Sequence, residues 1–257
     1  MIMAMYDIYH YLRLHLVRPF VSCFASTNVD EILTHKHILI LSPHPDDEVF
    51  GCGGLIAHCI ANGNQPKVVI LSGGGASLGY DRPDKDHIVA ERMKLTDRAT
   101  QILGLPSSCL TRLFLEDSCM TKEFANEGKL SAVIEKLHNV EPAPDIILVP
   151  SFLDDFPDHR ATRQLGIELQ KSYQAHGHHS ELWNYCAWIW FFHPFKLAFK
   201  SSNCLTLKMN KKEHEAKNQA IDVYVTPDAA TRVCWSGDLD PLFVCAHQWN
   251  QEIYYKD

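Results

Sequence analysis

Short apolar runs alternate along this chain with longer stretches in which apolar residues recur at helical spacing. The apolar runs and one aromatic run predict strands at residues 37–42, Lys67–Ser72, 112–115, 145–150 and 182–192. The helical spacing predicts helices at residues 53–62, 86–103, 122–138, 160–175 and 210–224. Between the first strand and the first helix, the glycines of residues 51–54 predict a bend.

Apolar strands that alternate with helices are typical of a mostly parallel sheet covered on both faces, so we predict an α/β fold. Polar loops follow three of the predicted strands directly, at residues 43–48, 73–86 and 151–159. Because parallel strands end at the same edge of a sheet, these loops should open on one rim. Ligands of such sheets bind in that crevice.

The length of 257 residues fits a single domain, which we predict to span residues 1–257 with a helical N-terminal extension at residues 1–35. Charges in this extension leave no apolar run long enough to cross a bilayer. We expect it to dock on the protein's own core or on a second subunit, and a membrane surface is the alternative. Its amphipathic positions are Tyr6, Tyr9, Leu12, Leu14 and Val17.

Composition narrows the function classes. Net charge is −7, and basic residues are scattered, which argues against a nucleic-acid partner. The nine cysteines lack regular spacing and indicate reduced thiols, so we predict a cytoplasmic protein, peripheral to a membrane if the extension binds one. The oligomeric state is left open, and a homo-oligomer is one option.

One imidazole and three carboxylates stand at the end of the first predicted strand: His44, Asp46, Asp47 and Glu48. Such a group is costly in a core and natural in a metal site. His159, after the strand at 145–150, would complete a two-histidine, one-carboxylate set of His44, Asp47 and His159. We predict Zn²⁺, with another divalent metal as an alternative, and Asp46 as the general base.

Asp158, beside His159, has a second interpretation. An aspartate just before a predicted helix often caps the helix N-terminus, and the predicted helix starts at residue 160. On that interpretation Asp158 has no part in the metal site.

The motif Pro-His-Pro-Asp-Asp-Glu at residues 43–48, with Pro-Asp-His at residues 157–159, resembles the PIG-L/LmbE family of zinc-dependent de-N-acetylases. The resemblance implies a Rossmann-like fold, zinc ligation by His44, Asp47 and His159, and Asp46 as the base. It also implies that Asp158 supports the site through hydrogen bonds. Residues classed as substrate-binding or supporting are Glu48, Arg92, Asp158 and Tyr224.

The chain departs from the family pattern at two positions. Phe156 stands where many members have a histidine that stabilises the oxyanion or protonates the leaving amine. Candidate substitutes for that histidine are His193, Asp155 and Tyr224. Pro227 replaces the glutamine that ends the family's last motif, which puts any contact of that glutamine in doubt.

We predict a metal-dependent hydrolase that removes the N-acetyl group from a small-molecule or lipid-linked amino-sugar conjugate. One alternative is a degenerate member that binds a sugar or a protein without catalysis, which Phe156 favours. Another is a serine hydrolase that uses Ser77, because residues 75–79 fit Gly-x-Ser-x-Gly.

Neither glycine stretch spells the dinucleotide-binding fingerprint, which argues against a nicotinamide-cofactor dehydrogenase. Trp188 and Trp190, on one face of the predicted strand 182–192, suit either core packing or sugar stacking.

Overall fold

The computed structural model describes residues 11–12, 15–21, 27–79, 83–138, 140, 142–192, 195–196 and 204–256. Eight strands form one sheet. They are β1 (Thr27–Asn28), β2 (Ile38–Ser42), β3 (Lys67–Ser72), β4 (Leu110–Leu115), β5 (Ile146–Pro150), β6 (Glu181–Tyr185), β7 (Cys204–Lys208) and β8 (Gln251–Lys256).

The order of strands across the sheet is β1-β7-β8-β6-β5-β2-β3-β4. Every neighbouring pair is parallel except the two that involve β8, which runs antiparallel to β6 and β7. The chain moves outward from β2 to β3 and β4, and then returns to place β5 on the other side of β2. The crevice between β2 and β5 is therefore the topological switch point, where α/β sheets bind ligands.

Helices connect the strands: α1 (Asp30–Leu33), α2 (Asp47–Ala61), α3 (Lys85–Ile102), α4 (Met120–Phe124), α5 (Glu127–His138), α6 (Pro157–Ala175), α7 (Ile189–Phe192), α8 (Lys211–Val225) and α9 (Pro241–His247). Local sequence explains several of their starts. Proline occupies the first turn of α6. A reciprocal capping box between Asn210 and Glu213 starts α8.

Successive residues of each central strand enter opposite cores, as expected for a sheet covered on both faces. On β2, Ile40 packs into the core beneath α2, α3 and α8, whereas Leu41 packs into the core beneath α5 and α6. On β5, Leu148 packs into the same core as Ile40, and Val149 packs into the same core as Leu41. The predicted α/β class and the mostly parallel sheet are confirmed.

The predicted glycine bend at residues 51–54 is wrong, because α2 begins at Asp47 and includes all of these glycines. Close packing explains them. A Cβ at Gly51 would collide with the ring of Tyr185, and one at Gly54 would collide with Met209 and lie 2.9 Å from the Glu252 carboxylate. These glycines let neighbouring side chains approach the helix.

Other predicted boundaries were also wrong. The aromatic strand 182–192 ends at Tyr185, and the short helix α7 follows, so Trp188 and Trp190 do not share a strand face. The backbone N–H of Ile189 donates to buried Asp154 at 2.7 Å, which turns the chain there. The predicted helix 122–138 is two helices, because the side chain of Asn126 accepts from the Lys129 N–H and starts a new helix. The prediction missed β7, α9 and β8, and also β1, a strand within the extension that was predicted to be helical.

Residues 15–21 of the predicted N-terminal helix are helical and bury Val17 and Val21. The Arg18 side chain donates to the carbonyl oxygens of Cys245 and Ala246. This segment is thus docked on the protein's own core, while Tyr6, Tyr9 and Leu14 lie outside the described residues. Within the described part of the chain, no helix is long and apolar enough to cross a bilayer.

Candidate metal centre

The predicted ligands converge at the switch point of the sheet. His44 follows β2, Asp47 is the first residue of α2, and His159 lies in the first turn of α6, just after β5. Since β2 and β5 are hydrogen-bonded neighbours, their carboxyl ends bring residues that are distant in sequence into contact. Asp47 and His159 are buried, and His44 is partly exposed.

One carboxylate oxygen of Asp47 faces both imidazoles. Its Oδ2 lies 3.2 Å from Nδ1 of His44 and 3.4 Å from Nε2 of His159. The ligand atoms of these three residues all lie within 4.8 Å of one another. Two imidazole nitrogens and a carboxylate oxygen this close form a donor set typical of zinc and related divalent ions.

The second nitrogen of each imidazole faces a different carboxylate. Nε2 of His44 lies 3.4 Å from Oδ2 of Asp158 and 3.3 Å from Oδ1 of Asp117. Nδ1 of His159 lies 3.2 Å from Oδ2 of fully buried Asp154. Carboxylates in this position fix the tautomer and orientation of metal-binding histidines. The carboxylates behind the two imidazoles, as well as the three ligands, therefore suit a divalent metal.

The field at this centre is strongly negative. Burial lowers the pKa of His159, but Asp47 and Asp154 together raise it to about 9. Burial opposes ionisation of Asp47, yet the facing imidazoles of His159 and His44 hold its pKa well below the usual range. The carboxylates that favour a proton on each imidazole equally favour a divalent cation among them.

Asp46 occupies a backbone conformation that only glycine adopts readily, with φ of 116°. Its carboxylate Oδ2 accepts a hydrogen bond from Nη2 of Arg92 at 2.9 Å. Burial raises the pKa of Asp46 to about 8, against the opposing charge of Arg92. Asp46 is thus a partly exposed carboxylate beside the predicted ligands, which suits a general base that must reach a water molecule.

Three residues that the sequence predicts to bind substrate or support the site, Arg92, Glu48 and Tyr224, all bond to other protein groups. Arg92 is buried and also donates to the carbonyl oxygens of Pro45 and Gly74. Glu48 is fully buried, and its Oε2 accepts from the Asp46 N–H at 2.9 Å. Fully buried Tyr224 donates its hydroxyl to Oε1 of Glu48 at 2.5 Å. These contacts are with protein groups, which favours supporting roles over substrate contact.

The N-cap interpretation of Asp158 is wrong. The residue at the N-cap of α6 is Phe156, and no side chain caps that helix. The Asp158 carboxylate instead accepts from the backbone N–H groups of Ser118 at 2.7 Å and Met120 at 3.2 Å, and it faces His44. Asp158 joins the loop before α4 to the metal centre.

Two residues of the centre received no role from the sequence. Asp154 lies in the predicted loop 151–159. Its position five residues before His159 was the available sequence signal that it could contact that histidine. Asp117 follows β4, a short and weakly patterned strand, and its Oδ2 accepts from the Ala76 N–H at 2.8 Å. Nothing in the local sequence of Asp117 indicates that its loop reaches His44.

Phe156, at the position of the missing histidine, borders the centre. Its ring centroid lies 5.5 Å from that of His159 and 4.9 Å from that of Trp188. Of the candidate substitutes, Asp155 is exposed, Tyr224 bonds to Glu48, and His193 lies outside the described residues.

Ser77 is not arranged as the nucleophile of a serine hydrolase. Its hydroxyl donates to the carbonyl oxygen of Trp235 at 2.8 Å. It lies in a turn well before α3, which starts at Lys85, whereas a nucleophile elbow leads directly into a helix.

Comparison with known families agrees with this geometry. The family described as "PIG-L: GlcNAc-PI de-N-acetylase" matches residues 39–170, just over half of the 257 residues. The chain belongs to the PIG-L family. The matched range includes every residue of the metal centre, from His44 to His159.

Relatives of this PIG-L chain include a probable N-acetyl-α-D-glucosaminyl L-malate deacetylase 2 of Bacillus anthracis. It is 32% identical over 137 residues, which are 52% of this chain and 58% of the relative. A diacetylchitobiose deacetylase of Thermococcus kodakarensis is 27% identical over 136 residues, 52% of this chain and 48% of the relative. The chain thus spans about half the length of these relatives.

The fold is also that of the conserved protein TT1542 from Thermus thermophilus. The TM-score is 0.54 at 23% identity, and the superposition covers 74% of this chain and 78% of that structure. At this identity the likeness shows the fold alone.

Proposed function

We propose that this protein is a metal-dependent hydrolase that removes the N-acetyl group from an N-acetyl amino-sugar conjugate and releases acetate. One observation supports the proposal most directly. The two imidazoles and the carboxylate of the donor set lie beside a second, partly exposed carboxylate, Asp46, at the switch point of a PIG-L sheet. Metal-dependent amide hydrolysis uses this combination of a Lewis acid site and a base.

His44, Asp47 and His159 would hold the metal, and Zn²⁺ suits their nitrogen and oxygen atoms best. When bound, such an ion supplies Lewis acidity, which polarises an amide carbonyl and lowers the pKa of water. Asp154 and Asp158 hold the second nitrogens of His159 and His44, so each imidazole presents its other nitrogen to the ion.

Asp46 is the residue that we assign to proton transfer. Arg92 donates to its Oδ2, so Oδ1 is the oxygen that we assign to the proton of the attacking water. The water oxygen bonds to the acetyl carbon as Asp46 takes the water's proton, and Asp46 returns that proton to the nitrogen as the C–N bond breaks. The products are acetate and a free amine, so the reaction needs no co-reactant other than water.

The substrate class follows from the relatives. The names of these relatives identify N-acetyl-α-D-glucosaminyl L-malate and diacetylchitobiose as the substrates of those proteins, and both contain an N-acetyl amino sugar. We therefore propose an amino-sugar conjugate for this chain, either a small molecule or a lipid-linked glycan.

Acetate release from a panel of conjugates tests the proposal. The panel contains N-acetylglucosamine, its malate and inositol glycosides, chitobiose derivatives and a lipid-linked glycan, each assayed before and after chelation and readdition of Zn²⁺. We expect acetate from at least one conjugate, lost on chelation and restored by Zn²⁺. Bound metal without acetate from any conjugate would contradict catalysis and favour the non-catalytic interpretation based on Phe156.

A further inference from the structure

A chain of buried hydrogen bonds links helix α8 to the backbone of Asp46. It begins at the Tyr224 hydroxyl, which donates to Oε1 of Glu48 at 2.5 Å. The other oxygen of Glu48, Oε2, accepts from the Asp46 N–H at 2.9 Å. Tyr224 and Glu48 are both 0% exposed, so these contacts are shielded from water.

Asp46 needs such support because its backbone is strained. With φ of 116° and ψ of −36°, it lies outside the regions that side chains with a Cβ adopt freely. Strain of this kind costs of order 1–3 kcal/mol and persists only where surrounding contacts enforce it. The Asp46 N–H is held by Glu48, and its side chain is held by Arg92.

Thr96 connects Tyr224 to the turn of α3 that carries Arg92. Thr96, on α3, lies 3.1 Å from the Tyr224 hydroxyl and donates its own hydroxyl to the Arg92 carbonyl oxygen at 3.1 Å. Tyr224 therefore contacts both supports of Asp46: Glu48 directly, and the helix turn of Arg92 through Thr96.

We infer that Tyr224 is a positioning residue, which acts through Glu48 to hold the Asp46 backbone in the strained conformation that aims its carboxylate. This inference rests on the proposed function, in which Asp46 is the base. Among the described residues, the Tyr224 hydroxyl bonds to Glu48 and Thr96 and to none of His44, Asp47 and His159, so its effect on the reaction passes through these two neighbours, with Glu48 the direct link to Asp46.

The variant Tyr224→Phe removes only the hydroxyl and keeps the buried ring. We expect kcat to fall about 10- to 100-fold, since small misplacements of reacting groups cost about this much. KM and zinc stoichiometry should not change, because no ligand or substrate contact is removed. Glu48→Met, which offers no oxygen acceptor to either the Asp46 N–H or the Tyr224 hydroxyl, should have a similar effect. The double variant should then lose far less than the product of the two effects.

Tyr254→Phe is the matched control. Tyr254 is also 0% exposed and also donates to a buried glutamate, Glu252, at 2.5 Å, but that pair lies under the middle of α2. Its loss should lower thermal stability as Tyr224→Phe does and leave kcat within about twofold. Equal losses of kcat in the two variants would overturn the positioning role.

Crystal structures of the wild type and Tyr224→Phe separate this inference from the proposed function. We expect the Asp46 backbone to leave the positive-φ region in the variant. An unchanged Asp46 would overturn the inference even if the wild type is an active deacetylase. A relaxed Asp46 in a protein that releases no acetate would support the positioning role and contradict the deacetylase function alone.

Discussion

Phe156 is the residue at which the metal centre differs most from the pattern its sequence resembles. The side chain is 37% exposed and stands beside His159, so it borders the space that a substrate amide would enter. A phenyl ring can neither donate a proton to a leaving amine nor stabilise an oxyanion. In the proposed reaction Asp46 would then handle proton transfer without that assistance, at a site where His44, Asp47 and His159 would hold the metal.

Replacing Phe156 with histidine should increase kcat on the best conjugate by about tenfold or more, because a positioned general acid typically contributes 10²–10⁴-fold. Steady-state acetate release measures the change. Phe156→Leu is the control, since it changes shape without adding a proton donor, and it should show no gain. A histidine variant no faster than the leucine variant would contradict our account of this position.

Single residues could be predicted from sequence only where the chemistry is local. His44, Asp46 and Asp47 are adjacent and follow an unmistakable strand, and the structure brings His159 to them. Asp117 could not be predicted, because a weak strand and a loop carry it to His44. The roles of Glu48 and Tyr224 depend on a contact between α2 and α8, which no local pattern encodes.

At the scale of elements, helix α2 positions the site. Its first turn holds Asp47 and Glu48, and its middle is buried against β6, β8, α8 and Met209, the residue after β7. Glycines at 51 and 54 make this contact possible. From sequence, residues 51–54 predict a bend between the strand and the helix because glycine disfavours helices, whereas tertiary packing outweighs that preference of about 1 kcal/mol.

Gly51→Ala tests this explanation. Although alanine is the better helix former, its Cβ would collide with the Tyr185 ring, so we expect a loss of roughly 1–3 kcal/mol in the free energy of unfolding. Denaturant titration measures it. In Gly128→Ala, on α5, the new Cβ would meet only the Asn126 side chain, at 3.3 Å, and stability should change little. A Gly51→Ala protein as stable as the wild type would contradict the packing role.

Elements were predictable where apolar periodicity was strong. Strands β2, β3 and β5 and helix α3 lie within a few residues of their predictions. Strands β7 and β8 were missed because polar residues such as Thr206 and Glu252 interrupt their apolar pattern. Buried Glu252 pairs with Lys217, and that pairing cannot be read from either segment alone.

At the scale of the whole molecule, the buried Lys217–Glu252 ion pair ties three elements together. Nζ of Lys217, on α8, lies 2.6 Å from Oε1 of Glu252, on β8. The Glu252 carboxylate also accepts from the N–H groups of Gly54 and Leu55 on α2, at 2.7 and 2.8 Å. The antiparallel half of the sheet is thereby fixed to the helix that carries the site.

Lys217→Met should therefore lower the free energy of unfolding by roughly 3–5 kcal/mol, because it leaves the Glu252 carboxylate buried without its cation. Thermal and denaturant unfolding measure the loss. Adding Glu252→Gln should recover part of it. Lys211→Met breaks an exposed pair with Glu215 on the same helix and should cost no more than about 1 kcal/mol. Equal losses at positions 211 and 217 would contradict this account.

The overall architecture was predictable because parallel strands buried on both faces leave a nearly continuous apolar signature. The switch point follows from strand order, which sequence does not give. The location of the site could still be predicted, because three polar loops follow strands and such loops meet at one rim of a parallel sheet. The central claim is that a metal held by His44, Asp47 and His159 works beside the separate base Asp46.

Metal content and acetate release, measured together for Asp46→Asn and His159→Ala, test that claim most directly. We predict that Asp46→Asn binds as much zinc as the wild type and releases no detectable acetate. His159→Ala should lose both zinc and acetate release. Full acetate release by Asp46→Asn, or a His159→Ala protein that still binds one zinc ion and turns over normally, would contradict the account.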